Sequence, residues 1–260
     1  MLSKNQLKHL TSLHLKKYRE LYGEFVAEGE KSVTELLEST FEVKELFASD
    51  TWLQDNATLV NKHRIKVQEI TPDDLARIST LITPNKVVAV AAIPKKPEPS
   101  ADMFSDLILA LDNIRDPGNL GTIIRTADWF GIRHIVCSPG CVDAYNPKVV
   151  QSSMGSITRT NLNYIELSEF ILSAPAGMDT YGCLLDGRNI HAIPLKSPAI
   201  IIIGNESNGI SEALLPLITE RLRIPSFSTG YENRGQAESL NASLANAIIC
   251  YEFRRRQTTN

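Results

Sequence analysis

Apolar residues occupy nearly every position of four short segments in the second half of the chain. These segments are residues 107–111, 134–137, 181–185 and 199–203. Strands that are apolar throughout belong to parallel sheets, because helices cover both faces of such sheets. We therefore predict an α/β fold with a mostly parallel sheet in this half.

The first half shows shorter strand and helix patterns that take turns along the chain. Strands are predicted at residues 24–29, 41–48, 65–70 and 87–93. One or two amphipathic helices precede them, and further helices are predicted at residues 32–37 and from Thr71 or Pro72 to about residue 80. Alternation of this kind predicts a small α/β domain.

Three prolines, at positions 94, 97 and 99, separate the two halves. Proline removes a backbone donor and fixes φ, so this stretch favours neither helix nor sheet. We predict a first domain at residues 1–94, a linker at 95–102 and a second domain at 103–260.

Polar loops follow the predicted strands at three places. The first contains Asn119 and leads into a helix with Arg125, and the second is a glycine-bracketed loop at residues 204–209. The third starts at the strand end Ile224-Pro225 and leads to a helix that Ser239 or Asn241 can cap. Ligands gather at the carboxyl ends of parallel strands. Each loop alone is more typical of an ordinary turn or a capped helix.

Leu240, Leu244, Ala247, Ile248 and Tyr251 form one apolar stripe along that last helix. No Lys-Ser or Lys-Thr ends a glycine loop, and G-x-G-x-x-G is absent as well. The sequence therefore disfavours a nucleotide triphosphatase and a dinucleotide enzyme.

Composition narrows the class of protein further. The 260 residues are 43% hydrophobic and 22% charged, which is typical of a globular protein. Neither a secretion signal nor an apolar run of about 20 residues is present, so we expect a cytoplasmic protein without a membrane partner. The four cysteines are scattered, and their spacing indicates neither disulfides nor a metal site.

The formal net charge of −3 argues against a generally basic nucleic-acid binder. Two local basic clusters are nevertheless candidates for RNA contact. One lies before residue 20 and includes Lys16, Lys17 and Arg19, and the other is residues 254–256. Basic runs are more often only solvated surface.

The three loops together resemble the signature motifs of the SpoU/TrmH family of RNA ribose 2′-O-methyltransferases in the SPOUT superfamily. The matching stretches are residues 116–127, residues 203–209, and Ile224-Pro225 joined to residues 238–241. Residues 25–33 resemble the N-terminal RNA-binding domain that many members carry. The resemblance implies a trefoil knot in the second domain, S-adenosylmethionine as cofactor, and a homodimer that acts on RNA.

The same resemblance implies roles for individual residues. Cofactor-binding positions are Gly204, Asn205, Ile224, Ser239, Leu240 and Asn241. Catalytic positions are Arg125, which would handle the proton of the 2′-hydroxyl, together with Asn119, Glu206, Ser239 and Asn241. The alternatives are a surface ion pair for Arg125 and contacts to loop amides for Glu206. Candidate RNA contacts are Lys16, Lys17, Arg19, Lys31 and Arg234.

One departure from the family pattern is a longer loop at residues 226–238, before Ser239. This insertion could cover the cofactor or reach RNA through Tyr231 and Arg234, or it could be neutral surface. The expected activity is methyl transfer to a ribose 2′-hydroxyl of structured RNA, with ribosomal RNA favoured over transfer RNA. The alternative is a catalytically silent RNA-binding protein that acts in ribosome assembly.

Overall fold

The computed structural model describes residues 1–81, 83, 85–95, 101–227 and 239–257. The chain forms two compact units. The first combines Met1–Lys95 with Asp143–Arg159, and the second combines Lys96–Val142 with Thr160–Asn260. Residues 143–159, which the sequence analysis assigned to the second domain, thus pack with the first unit. The domain boundaries themselves stay a prediction.

The first 95 residues form a four-stranded sheet with helices around it. The elements are α1 (Lys4–Ser12), α2 (Lys16–Tyr22), β1 (Glu24–Glu28), α3 (Glu30–Leu37), β2 (Val43–Ala48), α4 (Asp50–Asp55), α5 (Ala57–Val60), β3 (Lys66–Glu69), α6 (Pro72–Ile78) and β4 (Val87–Ala92). The strand order is β1-β4-β2-β3, and only β2 and β3 run parallel. The predicted small α/β unit is confirmed, while α4 and α5 were not predicted.

Local chemistry explains where two of these helices begin. Ser3 and Gln6 form a capping box at the start of α1, with each side chain bonded to the other residue's backbone N–H. Thr71 accepts a hydrogen bond from the backbone of Asp74, and Pro72 occupies the first position of α6. Helices of seven to nine residues depend on such caps, because they are too short to be stable alone.

The rest of the chain forms a six-stranded sheet in which every strand pair is parallel. The elements along this part of the chain are β5 (Leu107–Leu111), α7 (Pro117–Trp129), β6 (His134–Cys137), α8 (Pro147–Ser153), β7 (Asn161–Tyr164), α9 (Leu167–Leu172), β8 (Asp179–Asn189), β9 (Ala199–Ile203), β10 (Glu220–Arg223) and α10 (Ala242–Gln257). Of these, α8 packs in the first unit. The strand order is β10-β8-β9-β5-β6-β7. The predicted parallel sheet is confirmed, and the trefoil knot stays a prediction.

The two central strands fix the level at which the sheet ends. Every residue of β5 and β9 is buried, and Leu111 pairs with Ile203 at their carboxyl ends. The ladder continues one step further, because the Asp112 N–H donates to the carbonyl of Ile203 (2.9 Å). The loops that follow these strands therefore start side by side.

The apolar stripe predicted for α10 faces outward. Leu244 and Tyr251 are 57% and 51% exposed, and Ile248 is also exposed. The face of α10 that packs inward instead contains Ile249, Cys250 and Phe253. Apolar residues lie on both sides of this helix, so periodicity alone did not identify the core side.

The C-terminal arginines hold α10 in place. Arg254 donates to both carboxylate oxygens of Asp106 (2.8 and 2.7 Å) and to the carbonyl of Phe130 (2.7 Å). Burial opposes the charge on Asp106, but the bonds from Arg254 bring the pKa of this carboxyl below its usual value. Arg256 donates to the carbonyls of Ile190 and Ile193. The basic cluster at residues 254–256 is thus bound largely within the protein.

None of the helices among the described residues is long and apolar enough to span a membrane.

Arg19 is buried, which contradicts its prediction as an RNA contact. Only 2% of the residue is exposed. Its guanidinium donates twice to Asp143 (2.8 and 2.6 Å) and once to the carbonyl of Leu13 (2.8 Å). A buried guanidinium must be paired in this way, because charge is costly to remove from water. Arg19 therefore fastens α2 to residues 143–159 within the first unit.

We predict that Arg19→Met lowers the free energy of unfolding by about 3 kcal/mol, because Asp143 loses its partner in a partly buried place. Urea unfolding followed by circular dichroism measures the change. Lys17→Met is the matched control, since Lys17 is exposed and its loss should change stability by no more than about 0.5 kcal/mol. Equal stability of the two variants would contradict the structural role of Arg19.

Candidate functional site

Three loops form the candidate site at the carboxyl ends of β5 and β9. One joins β5 to α7, one follows β9, and the third precedes α10. The parallel pairing of β5 with β9 brings the first two together. Open parallel sheets bind ligands at this edge.

The loop after β9 is closed by its own hydrogen bonds. Asn205 and Gly209 each donate a backbone N–H to the other's carbonyl (2.9 Å). A Cβ added at Gly204 would lie 2.4 Å from the carbonyl carbon of Gly209, so only glycine fits there. The Asn205 side chain accepts from the N–H groups of Ser207 and Asn208 and donates to the carbonyl of Asn113 (2.9 Å). Asn205 therefore fixes this loop to the loop after β5.

The start of α7 positions Asn119. Asp116 caps the helix and accepts from the backbone N–H of Asn119 (2.7 Å), and Pro117 occupies the first helical position. Asn119 is half-buried, and its side chain points at the neighbouring loops. The cap thus sets the direction of the Asn119 side chain, which the first motif predicts to lie in the site.

A chain of hydrogen bonds connects all three loops. The Asn241 amide donates to Oδ1 of Asn119 (2.9 Å), and the Asn119 amide donates to the carboxylate of Glu206. Oδ1 of Asn241 also accepts from the N–H groups of Ser243 (3.0 Å) and Leu244 (3.4 Å), so Asn241 is the cap of α10. Three residues that the sequence analysis selected from separate motifs are therefore in direct contact.

Arg125 lies further along α7, six residues after Asn119. It is exposed, and it has no hydrogen-bond or ion-pair partner among the residues that the structure describes. The alternative of a surface ion pair therefore receives no support from these residues. A guanidinium has five N–H donors, which remain available here for an anion or a hydroxyl.

The other predicted cofactor positions are Ser239, Leu240 and Ile224. Ser239 and Leu240 directly precede Asn241, and Leu240 is 46% exposed. Ile224 is half-buried just after β10. Tyr231 and Arg234, with most of the insertion before Ser239, lie outside the described residues. Within the described ranges, no three side chains of His, Cys, Asp or Glu are grouped as a metal site requires.

The lysines predicted to contact RNA are exposed in the first unit. Lys16 lies 3.7 Å from Glu20 and Lys17 packs over the ring of Tyr18. Lys31 pairs with Glu35 on the next turn of α3. The hydrogen bond from Lys31, followed by bonds from Arg159, lowers the pKa of Glu35 against the effect of burial. These lysines have short-range partners yet remain accessible.

Sequence reasoning missed Asp112. It is buried, and its carboxylate accepts from the N–H of Ser211 (2.6 Å) and the amide of Asn113 (2.8 Å). It lines a cavity of about 290 Å³ at the carboxyl ends of the strands. An acidic residue directly after a fully apolar strand was the signal that could have identified it.

Cys141 lies beneath the same loop and was also missed as a titrating group. Hydrogen bonds from Cys137, then from Ser138 and backbone groups, lower its pKa to about 7 despite burial. Its Sγ accepts from the backbone N–H of Ile114 (3.3 Å). This thiol therefore supports the backbone of the loop after β5.

Comparison with known proteins identifies relatives of both units. The model of the SpoU rRNA Methylase family matches residues 106–251, and the model of the MRM3-like substrate binding domain matches residues 4–89. The chain is 33% identical over 255 residues to the 23S rRNA (guanosine(2553)-2′-O)-methyltransferase RlmP of Bacillus subtilis, and the alignment covers 97% of each protein.

Solved structures with a similar fold cover nearly the whole chain. A protein of the TrmH family from Porphyromonas gingivalis is 39% identical with a TM-score of 0.86, and the match covers 98% of this chain and 99% of the other. The AdoMet-bound rRNA methyltransferase from Sinorhizobium meliloti is 28% identical with a TM-score of 0.84, over 98% and 96% of the two chains.

We predict that Asn119→Asp weakens the connection between the three loops. A carboxylate at this position would face Glu206 with like charge and could no longer donate to it. The free energy of unfolding at neutral pH should fall by about 1–3 kcal/mol, as measured by urea unfolding. Asn208→Asp, in the exposed part of the loop after β9, is the control and should be close to the parent. A fully stable Asn119→Asp variant would show that this network does not hold the loops.

Proposed function

The chain belongs to the SpoU rRNA methylase family, and we propose that it transfers the methyl group of S-adenosylmethionine to a ribose 2′-hydroxyl of ribosomal RNA. The observation that carries this proposal is the hydrogen-bonded set of Asn119, Glu206 and Asn241, which joins the three loops. Ribosomal RNA is favoured because RlmP, similar over 97% of this chain, is named for that substrate. The reaction would take place in the cytoplasm.

The residues around the loop after β9 fit the cofactor. Ile224 and Leu240 offer partly exposed apolar surface, while Gly204, Asn205, Ser239 and Asn241 offer backbone groups and small polar side chains. The carboxylate of Glu206 would favour a positively charged ligand in the same loop. When bound, S-adenosylmethionine supplies an electrophilic methyl group on a positively charged sulfur. We assign its binding to these positions.

Arg125 would handle the ribose hydroxyl. A hydroxyl is a weak nucleophile until its proton is removed or shared. Arginine in a protein stays protonated and cannot accept the proton, so the 2′-hydroxyl proton would pass to a neighbouring RNA phosphate oxygen that the Arg125 guanidinium holds in position. The lack of a partner for Arg125 among the described residues supports this role, because RNA could then bind it without breaking an existing contact.

The hydrogen-bonded chain of Asn119, Glu206 and Asn241 would orient the reacting groups. Asn119 accepts a hydrogen bond from Asn241 and donates one to Glu206, so its side chain is oriented by two bonds. Glu206 can accept a hydrogen bond from a ribose hydroxyl, and Ser239 lies two residues before Asn241 at the same helix start. We infer that these four side chains position the ribose and the cofactor.

The first unit would contact the RNA. Its family model is described as a substrate binding domain, and Lys16, Lys17 and Lys31 are exposed in it. Arg234, in the insertion, remains a candidate from the sequence. Arg19 is excluded from this role by its burial.

A homodimer is supported by exposed apolar side chains on α7 and α10. Trp129 is 84% exposed, and Tyr251 lies near Phe130 with ring centroids 6.5 Å apart. With Leu244 and Ile248, these residues form a patch that a monomer would leave in water. We propose that two copies pack through this α7/α10 patch.

The decisive test of the activity supplies tritium-labelled S-adenosylmethionine and ribosomal RNA from cells that lack the gene. The parent should incorporate label at a 2′-O-methyl position that is unmodified in those cells. Arg125→Ala should lower kcat by about 100-fold or more, because proton handling is lost. It should bind S-adenosylmethionine like the parent in calorimetry.

Arg133→Ala is the matched control, since Arg133 is an exposed arginine in the same unit, and its activity should equal that of the parent. Full activity of Arg125→Ala would overturn the assigned role. RNA binding by the parent without any methyl transfer would favour the silent RNA-binding alternative.

For the dimer, we predict that Trp129→Glu yields monomers in sedimentation experiments, because a carboxylate would be buried without a partner at the interface. Leu172→Glu is the control, as Leu172 is 71% exposed on α9 and outside the patch. A parent that sediments as a monomer, or a Trp129→Glu variant that stays dimeric, would refute this interface.

A further inference from the structure

Aromatic rings form an ordered row on α1 and α2 in the first unit. Tyr18 and Tyr22 lie one helical turn apart on α2, with ring centroids separated by 6.2 Å and planes inclined by 13°. His9 of α1 packs edge-on against Tyr22 at 4.9 Å. His9 is itself held by Glu24, since Nε2 lies 2.9 Å from a carboxylate oxygen. The rings are therefore fixed before any ligand arrives.

The row is partly accessible to solvent, because Tyr22 is exposed and Tyr18 is half-buried. Tyr22 is 45% exposed, and the neighbouring Leu21 and Leu15 are 69% and 55% exposed. By contrast, the ring of Phe25, in the following strand β1, is fully buried. Exposed aromatic and apolar side chains clustered in this way mark binding surfaces more often than isolated ones do.

The surroundings of the row are positively charged. Lys17 Nζ lies 4.7 Å from the centroid of the Tyr18 ring. Lys4 and Lys8 are exposed on α1, which contains no acidic residue. The nearby carboxylates are already paired, Glu20 with Lys16 and Glu24 with Lys44. A negatively charged partner can therefore approach these rings.

Rings and lysines together match the chemistry of unpaired nucleotides. An unpaired base has a free face that stacks on an aromatic side chain, while its phosphate is attracted by lysine. In a duplex, base faces are covered by neighbouring pairs, so only phosphate contacts would remain. A protein partner would have no comparable use for the lysines unless it were acidic.

We propose that the aromatic face of α2, defined as Tyr18 and Tyr22 with Lys17, binds unpaired bases of the substrate RNA by stacking. This inference rests on the proposed function, because it takes the substrate to be RNA. The face lies in the first unit, whereas Arg125 and its neighbours lie in the second. The aromatic face therefore contributes to the affinity for RNA and leaves the rate of methyl transfer in the RNA-bound enzyme unchanged.

The test uses the full chain and a fluorescent single-stranded RNA of about 12 nucleotides, a length typical of single-strand binding sites. The double variant Tyr18→Leu/Tyr22→Leu should bind it about 5- to 100-fold more weakly, because base stacking is lost. Tyr18→Phe/Tyr22→Phe keeps both rings and should bind like the parent. Lys17→Ala should weaken binding more than Lys62→Ala, an exposed lysine outside the face.

A second arm uses only the parent protein and so does not depend on the folding of any variant. Replacing bases of the strand by abasic riboses should weaken binding to a similar extent, and annealing the strand to its complement should do the same. Equal affinity for the intact, abasic and duplex forms would overturn the proposal and leave phosphate attraction alone.

Methyl transfer separates failure of this inference from failure of the proposed function. If the parent does not methylate ribosomal RNA, the proposed function fails irrespective of the binding data. If the parent is active and the leucine variant keeps its KM, only the aromatic face is refuted. The expected result is a raised KM for RNA with an unchanged kcat.

Discussion

The pairing of β5 with β9 is the constraint on which the rest of the second unit depends. These two strands are buried along their whole length, and their register brings residues 112 and 204 to the same edge of the sheet. Asp112 then secures the edge through Ser211, and Asn205 secures it through the carbonyl of Asn113. The polar network of the site depends on the pairing of β5 with β9, because the loops that carry Asn119 and Glu206 begin where these two strands end.

Much of this architecture was predictable because its cause is local. Strands β5 and β9 are apolar at every position, and this pattern predicts strands that are buried on both faces. The strand β7 was missed because it is only four residues long and two of them are asparagine, which is depleted in strands. The sequence offers Ser239 and Asn241 as candidates for the N-cap of α10, and in the structure Asn241 is the cap.

What could not be predicted depends on residues far apart in sequence. Nothing near Arg19 indicates burial, because its partner Asp143 is 124 positions away. A contact between residues far apart in sequence also decides which face of α10 is buried. Phe253 packs against Tyr181 with ring centroids 5.0 Å apart, so the side of the helix that contains Phe253 faces inward. The site residues were predicted from the resemblance of three motifs to one family, and the contacts among Asn119, Glu206 and Asn241 became visible only in the fold.

Residues 143–159 complete the first unit from within the sequence of the second half. During synthesis the ribosome releases residues 1–95 first, and Asp143 follows 48 residues later. At ordinary translation rates this is a delay of roughly 2 to 10 seconds. Throughout that interval Arg19 lacks Asp143, its partner in the fold, and β1 lacks the α8 helix that packs against it. The first unit therefore reaches its final form only after residues 143–159 have been synthesised, when part of the second unit has already emerged from the ribosome.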